Sequence, residues 1–308
     1  MLTDKHLQEF AKSGISQEIA ESIFHSVSDP KEIAAFLGWK GYQGPPGWLY
    51  EGIDPATGKP TGIGQFKPDG GFIFPDGEEA KYLSQKGNNG KGKHDACCLP
   101  IPGINWQEIA ENHPPIRCVE GSKKSISSMI HTAMPTIALS GVDMATFGRG
   151  GQLTPTLTKL VAEGQAVEIA YDSDIIENNH VRTAAIAFGR SLIKAGCVVQ
   201  IRLWSPELGK GIDDVIANVG VEEFERRSEV LSFEEWLKPK PKKEPRTRNS
   251  EDDEDEASPK KPKMPPQSII ANEITKAYKN TLAWRPNYKK WYRYGSEIEG
   301  LWSKNDEE

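Results

Sequence analysis

From residue 116 onward the chain alternates short apolar runs with stretches of helical periodicity, and this alternation constrains its fold most tightly. Residues 116–119 read as a strand, and 122–133 place Ile126, Met129 and Ile130 at helical spacing. Residues 136–139 read as a second strand, and 154–163 as a helix closed by Gly164. A third strand follows at 167–171, then a helix over 182–195 closed by Gly196, then a fourth strand at 198–204. Strands and helices joined by few residues predict an α/β fold, a mainly parallel sheet flanked by helices.

The chain on either side has a different character. Residues 1–37 predict helices: Thr3 caps one carrying Leu7, Phe10 and Ala11, and Ser16 starts a second with Ile19, Ile23 and Phe24. Asp29-Pro30-Lys31-Glu32 supplies a cap, a proline at the first helical position and an N3 carboxylate. Residues 38–115 are dense in glycine and proline, with aromatics between, which predicts a small β-containing subdomain. The α/β block then covers 116–237. Residues 238–266 carry blocks of basic and then acidic charge with almost nothing apolar, the composition of a disordered linker. Residues 267–308 regain periodicity and read as the opening of a further, truncated domain.

Bulk properties narrow the function. A net charge of −6 means that nucleic-acid binding needs a local basic patch rather than a basic average. Cys97, Cys98, Cys118 and Cys197 form no CxxC pair, so a zinc module is not expected, and free thiols suit a reducing cytoplasm. No apolar run reaches membrane-spanning length and the N-terminus lacks a signal-peptide core, so a cytoplasmic, non-membrane protein is expected. Residues 87–93, GNNGKGK, formally fit GxxxxGK, but His94 stands where the P-loop needs Ser or Thr; they read as a loop, not a nucleotide-hydrolysing motor.

Carboxylates recur at the predicted strand ends. Glu120 follows the first strand, Asp172 and Asp174 the third, and Asp213 and Asp214 lie in KGIDD after the fourth. In a parallel sheet these ends share one edge, so the groups can converge. If the strand runs on through the DxD, Asp172 and Asp174 project on one face, their Cα atoms roughly 6.5 Å apart. Such carboxylates repel unless a hard cation such as Mg²⁺ joins them. Taken singly, a DxD is commonly a cap or turn, and KGIDD could simply start a helix with Asp213 as its cap.

These residues resemble a known family. VEG at 119–121, ALSG at 138–141, AYDSD at 170–174 and KGIDD at 210–214 follow the order of the Toprim domain of bacterial primases, topoisomerases and some nucleases. The chain resembles more closely a Toprim-like family of unknown function that heads plasmid and phage primase–helicase proteins, through LTDKHLQEFAKSGIS, KYLSQKG and EGSKKS. The likeness covers about 2–237, and WYRYGSEIEGLW resembles the start of the helicase half.

The resemblance implies Glu120 as general base or metal-adjacent acid, with Asp172, Asp174 and, less directly, Asp213 as ligands of Mg²⁺ or Mn²⁺. It further implies single-stranded DNA, nucleotides and a helicase domain or protein as partners, and nucleotidyl transfer as the reaction. One departure stands out: primases of this type carry an aspartate shortly after the EG, where this chain has Lys123 and Lys124. Those two lysines with Lys81, Lys86, Lys91, Lys93 and Lys210 are the expected phosphate contacts, and Phe72, Phe74 and Tyr82 the expected stacking rings. A solvated β-rich surface accounts for the same charges and rings. Two other functions share the site: a nuclease with water as nucleophile, and a non-catalytic nucleic-acid-binding module. A strand-passing topoisomerase is disfavoured, because no further domain to carry an active tyrosine is visible.

Overall fold

The computed structural model describes residues 1–87, 94–147 and 151–238, together with three strands near the C-terminus. The chain divides into two compact units, Met1–Pro241 and Lys242–Glu308.

The first unit begins with α1 (Asp4–Ala11), α2 (Gln17–Ile23), β1 (Phe24–Val27) and α3 (Pro30–Leu37). Thr3, Ser16 and Asp29 cap the three helices through their side-chain oxygens, and Pro30 opens α3. β2 (Gly47–Ile53), β3 (Pro60–Pro68), β4 (Phe72–Ile73), β5 (Glu79–Ala80) and β6 (Leu83–Ser84) follow. Strands β1, β2, β3 and β6 form an antiparallel sheet in that order, while β4 and β5 pair separately. Trp39, Phe72 and Phe74 pack beside a core of Leu37 on α3, Leu49 and Phe66 on this sheet, and Tyr42 on the loop between α3 and β2.

The α/β part holds α4 (Trp106–Asn112), β7 (Ile116–Glu120), α5 (Ser122–Thr132), β8 (Thr136–Leu139), β9 (Thr146–Phe147), β10 (Gln152–Leu153) and α6 (Pro155–Leu160). It continues through β11 (Ala166–Ile169), a 3₁₀ turn at Ser173–Ile176, α7 (Asn179–Lys194), β12 (Val198–Leu203), α8 (Ile212–Val219), α9 (Val221–Arg227), β13 (Glu229–Ser232) and α10 (Phe233–Leu237). The five-stranded sheet runs β13-β12-β11-β7-β8; its last four strands are parallel and β13 is antiparallel to β12. Two backbone bridges tie the sheets together: Cys97 pairs with Ala138, and Cys98 with Ile53. Fully burying a side chain such as Phe188 or Ile169 contributes about 1.5–3 kcal/mol, so this continuous core outweighs any surface ion pair.

The sheet's centre is ionic as well as apolar. Arg117 on β7 and Arg202 on β12 both donate to Glu168 on β11, at 2.5 and 2.9 Å, and all three side chains are buried. Arg202 also reaches Glu225 on α9 at 2.7 Å, and both guanidinium groups lie over the Phe224 ring. The four cysteines are free and buried. Among the described residues no helix is long and apolar enough to cross a membrane.

In the second unit β14 (Leu282–Arg285), β15 (Lys290–Tyr294) and β16 (Trp302–Lys304) form an antiparallel sheet, pairing Trp284 with Trp291 and Tyr292 with Lys304. The linker expected after residue 238 lies outside the described residues.

Candidate functional site

Three chain segments deliver charge to the carboxyl edge of the parallel strands. Glu120 is the last residue of β7, and the chain turns into α5 through Gly121 at φ 95° and ψ 156°, a backbone conformation essentially confined to glycine. That turn sets Glu120 on the strand end and Lys123 and Lys124 in the first helical turn. Asp172 follows β11, and Lys210 and Asp213 flank the start of α8.

The DxD departs from the extended geometry expected of it. Strand β11 ends at Ile169, and Asp172 heads the 3₁₀ turn, held by Ser173 N–H donating to Lys210 O at 2.9 Å. Asp172 is therefore buried, whereas the Asp174 side chain is 38% exposed. KGIDD does start a helix, but Asp214 does the capping, accepting from Gly211 N–H at 3.0 Å. Asp213 is buried instead, and accepts from Ser13 Oγ at 2.7 Å.

Glu120, Asp172, Asp213 and Lys124 line one cavity of about 380 Å³. Glu120, Asp172 and Asp174 also border a neighbouring cavity of similar size, with Lys210 shared by both. Lys124 Nζ donates to Asp172 Oδ1 at 2.5 Å, and Lys210 Nζ lies 3.9 Å from Asp172 and 3.8 Å from Asp174. Burial pushes the Glu120 and Asp172 carboxyls above the usual carboxylate range, and neighbouring carboxylates add to it against the pull of the lysines. Burial would lower the Lys124 ammonium, but Asp172, Glu120 and Asp213 more than offset it, so its pKa lies above the ordinary lysine value.

The other expected contacts separate. Lys81 and Tyr82 line the first cavity, and Lys123 does too while pairing with Glu9 at 3.1 Å. Lys86 is exposed and lines neither cavity. Phe72 and Phe74 are drawn into the aromatic cluster with Trp39, which leaves Tyr82 as the ring at the cavity. Lys91 and Lys93 lie outside the described residues.

Three site residues carried no sequence signal. Glu9 joins Lys67, Lys123 and Trp48, Ser13 holds Asp213, and Gln65 lies buried against the cavity with its amide on Ser140 O at 3.2 Å. Read locally, the first two are polar positions of an amphipathic helix and its end.

The fit to a divalent cation can be judged directly. Asp174 Oδ1 is buried without a hydrogen-bond partner, as a ligand atom could be. Yet among the described residues no three His, Cys, Asp or Glu side chains stand close enough to share an ion, and both Asp172 oxygens face lysines. As placed, the carboxylates do not fit a metal centre, because an ammonium stands among them.

The chain resembles solved structures. It is similar to a DNA primase domain from Pseudomonas aeruginosa, with 15% identity over 76% of this chain and 74% of that one and a TM-score of 0.51. The fold is primase-like. The RNA polymerase domain of Mycobacterium tuberculosis primase matches at 14% identity over 73% and 76% of the two chains, TM-score 0.49. The zinc-binding and RNA polymerase domains of Aquifex aeolicus primase match at 17% identity over 74% of this chain, TM-score 0.48, and the chain spans only 57% of that protein's length. Residues 105–223 match a family profile described as a domain of unknown function, DUF3854. No curated protein matches the chain. The profile match takes in most of the parallel sheet and Glu120, Asp172, Asp174 and Asp213.

Proposed function

We propose that the chain is a primase-like replication module of a plasmid or phage, with a Toprim-type charged rim that engages single-stranded DNA and nucleotide phosphates. Its setting is the cytoplasm, beside a helicase domain or protein. One observation carries this reading: carboxylates and lysines from four separate segments converge on one cavity at the strand ends of a primase-like sheet.

The chemistry proposed is nucleotidyl transfer. A primer hydroxyl oxygen bonds to the α-phosphorus of an incoming nucleotide, and pyrophosphate leaves. Glu120, its carboxyl raised above its ordinary value by burial, is the group suited to take the hydroxyl proton. Lys81, Lys123 and Lys210 meet the phosphate charge, and Tyr82 offers a ring to a base. Magnesium and manganese, which the resemblance implies, enter as arms of the test and not as parts of this step.

The pairing of Lys124 with Asp172 favours a second reading, a non-catalytic nucleic-acid-binding module. Incubation with single-stranded DNA and nucleotides, with and without Mg²⁺ or Mn²⁺, separates the two. Nucleotide-dependent oligomers lost in Glu120→Ala support the transferase. DNA binding that survives Asp172→Ala with no product in the wild type supports the binding module, and shortening of the DNA without nucleotides would replace both with a nuclease.

A further inference from the structure

The acidic rim is built around a lysine, and the fold makes room for it. Lys124 sits in the first turn of α5, a helix with no acidic residue there and no side-chain cap. A cation at a helix N-terminus opposes the helix dipole, so the position is unfavourable unless nearby anions offset it. Those anions are present: Asp172 is bonded to Nζ, and Glu120 and Asp213 act on it from β7 and α8.

The slot for its stem is a second, independent feature. A Cβ at Gly211 would lie 2.6 Å from Lys124 Cε and 2.5 Å from Asp213 Oδ1. Gly211 has φ −92° and ψ 161°, which any residue adopts, so what a side chain there would disturb is the placement of Lys124 and Asp213 and not the backbone. The charges also balance, since the cavity's four carboxylates meet four lysines. A lining with no net charge does little to draw a cation in.

We propose that Lys124 is the resident cation of this rim: its ammonium takes the place between Asp172, Glu120 and Asp213 that a divalent ion would need. The native site then excludes divalent metal, and removing the lysine creates a metal site where none existed. This specificity-determining role stands whether or not the protein makes primers.

The test is Mn²⁺ binding to the full chain, followed by the electron paramagnetic signal of free Mn²⁺. The acidic run at residues 251–256 supplies background binding, so the quantity read is the binding that Asp172→Asn abolishes. Lys124→Met, which keeps the aliphatic stem, is expected to gain an Asp172-dependent site at least about tenfold tighter than anything in the wild type. Gly211→Ala, which displaces the stem without changing any charge, is expected to gain part of the same site. An Asp172-dependent site in the wild type as tight as in Lys124→Met overturns the proposal, and so does a folded Lys124→Met that gains nothing. Should circular dichroism show that Lys124→Met does not fold, the wild type against Asp172→Asn decides: equal Mn²⁺ binding supports exclusion, and a difference refutes it.

Discussion

Ser13 Oγ donates to Asp213 Oδ2 at 2.7 Å, joining the turn after α1 to the start of α8 across 200 residues of sequence. The other oxygen of Asp213 is buried with no hydrogen-bond partner. The N-terminal helices are thus part of the site's wall, and this carboxylate depends on one hydroxyl.

Ser13→Ala takes that hydroxyl away and leaves both Asp213 oxygens buried without it. A loss of about 1–3 kcal/mol in unfolding free energy is expected, read as a lower urea midpoint. Ser13→Ala/Asp213→Ala is expected to recover part of it, and a single variant as stable as the wild type would show that the contact carries no weight.

Glu9 predicts an acid-dependent stability. Burial alone would raise its carboxyl, but Lys67 and Lys123 overcome burial and hold it at about 2, below the ordinary 4.5. A depressed carboxylate stabilises the fold fully above about pH 4.5, and that contribution fades as pH falls toward about 2. Glu9→Gln is therefore expected to cost on the order of 1–2 kcal/mol at pH 7, after allowing for partial exposure, with the gap to wild type closing on acidification. Urea titrations at pH 7, 5 and 3.5 measure this; a gap that stays constant over that range contradicts it.

Gly121 supports a purely backbone prediction. A Cβ there meets nothing within 4 Å, so the φ of 95° is the whole obstacle to a side chain. Gly121→Ala is expected to destabilise by about 1–3 kcal/mol and to swing Glu120 against the start of α5. Thermal unfolding reports the first effect, and loss of nucleic-acid binding or of product the second. A variant with wild-type melting would mean that the turn relaxes easily.

Glu168 is the hub of the central sheet, accepting from both Arg117 and Arg202 in a setting nearly closed to solvent. Glu168→Ala removes the carboxylate shared by two buried guanidinium groups, and a loss of about 3–5 kcal/mol is expected. Glu168→Gln retains acceptors and should lose less. Equal losses in the two variants would assign the effect to packing instead of charge.

Much of the architecture was legible in local pattern. Helical spacing, the capping residues Thr3, Ser16 and Asp29, and the apolar runs at Ile116–Glu120 and Val198–Leu203 name their elements without tertiary information. So does the order of acidic residues after strands, because a parallel sheet must bring its carboxyl ends to one edge. What each acidic residue then meets was not legible. The turn that buries Asp172 depends on a hydrogen bond to Lys210 O, and its ion pair with Lys124 spans 48 residues. Arg117, Glu168 and Arg202 look like surface charges in sequence and are core residues in the fold.

By itself, then, the sequence determined the capped helix starts, the four parallel strands and which strand ends carry acid, because periodicity and capping act within a few residues. Only the tertiary structure decided that a lysine stands among those acids and that Ser13 and Glu9 belong to the site. Pairing of charges depends on distance through space, and side chains that meet after packing leave no mark on their neighbours along the chain.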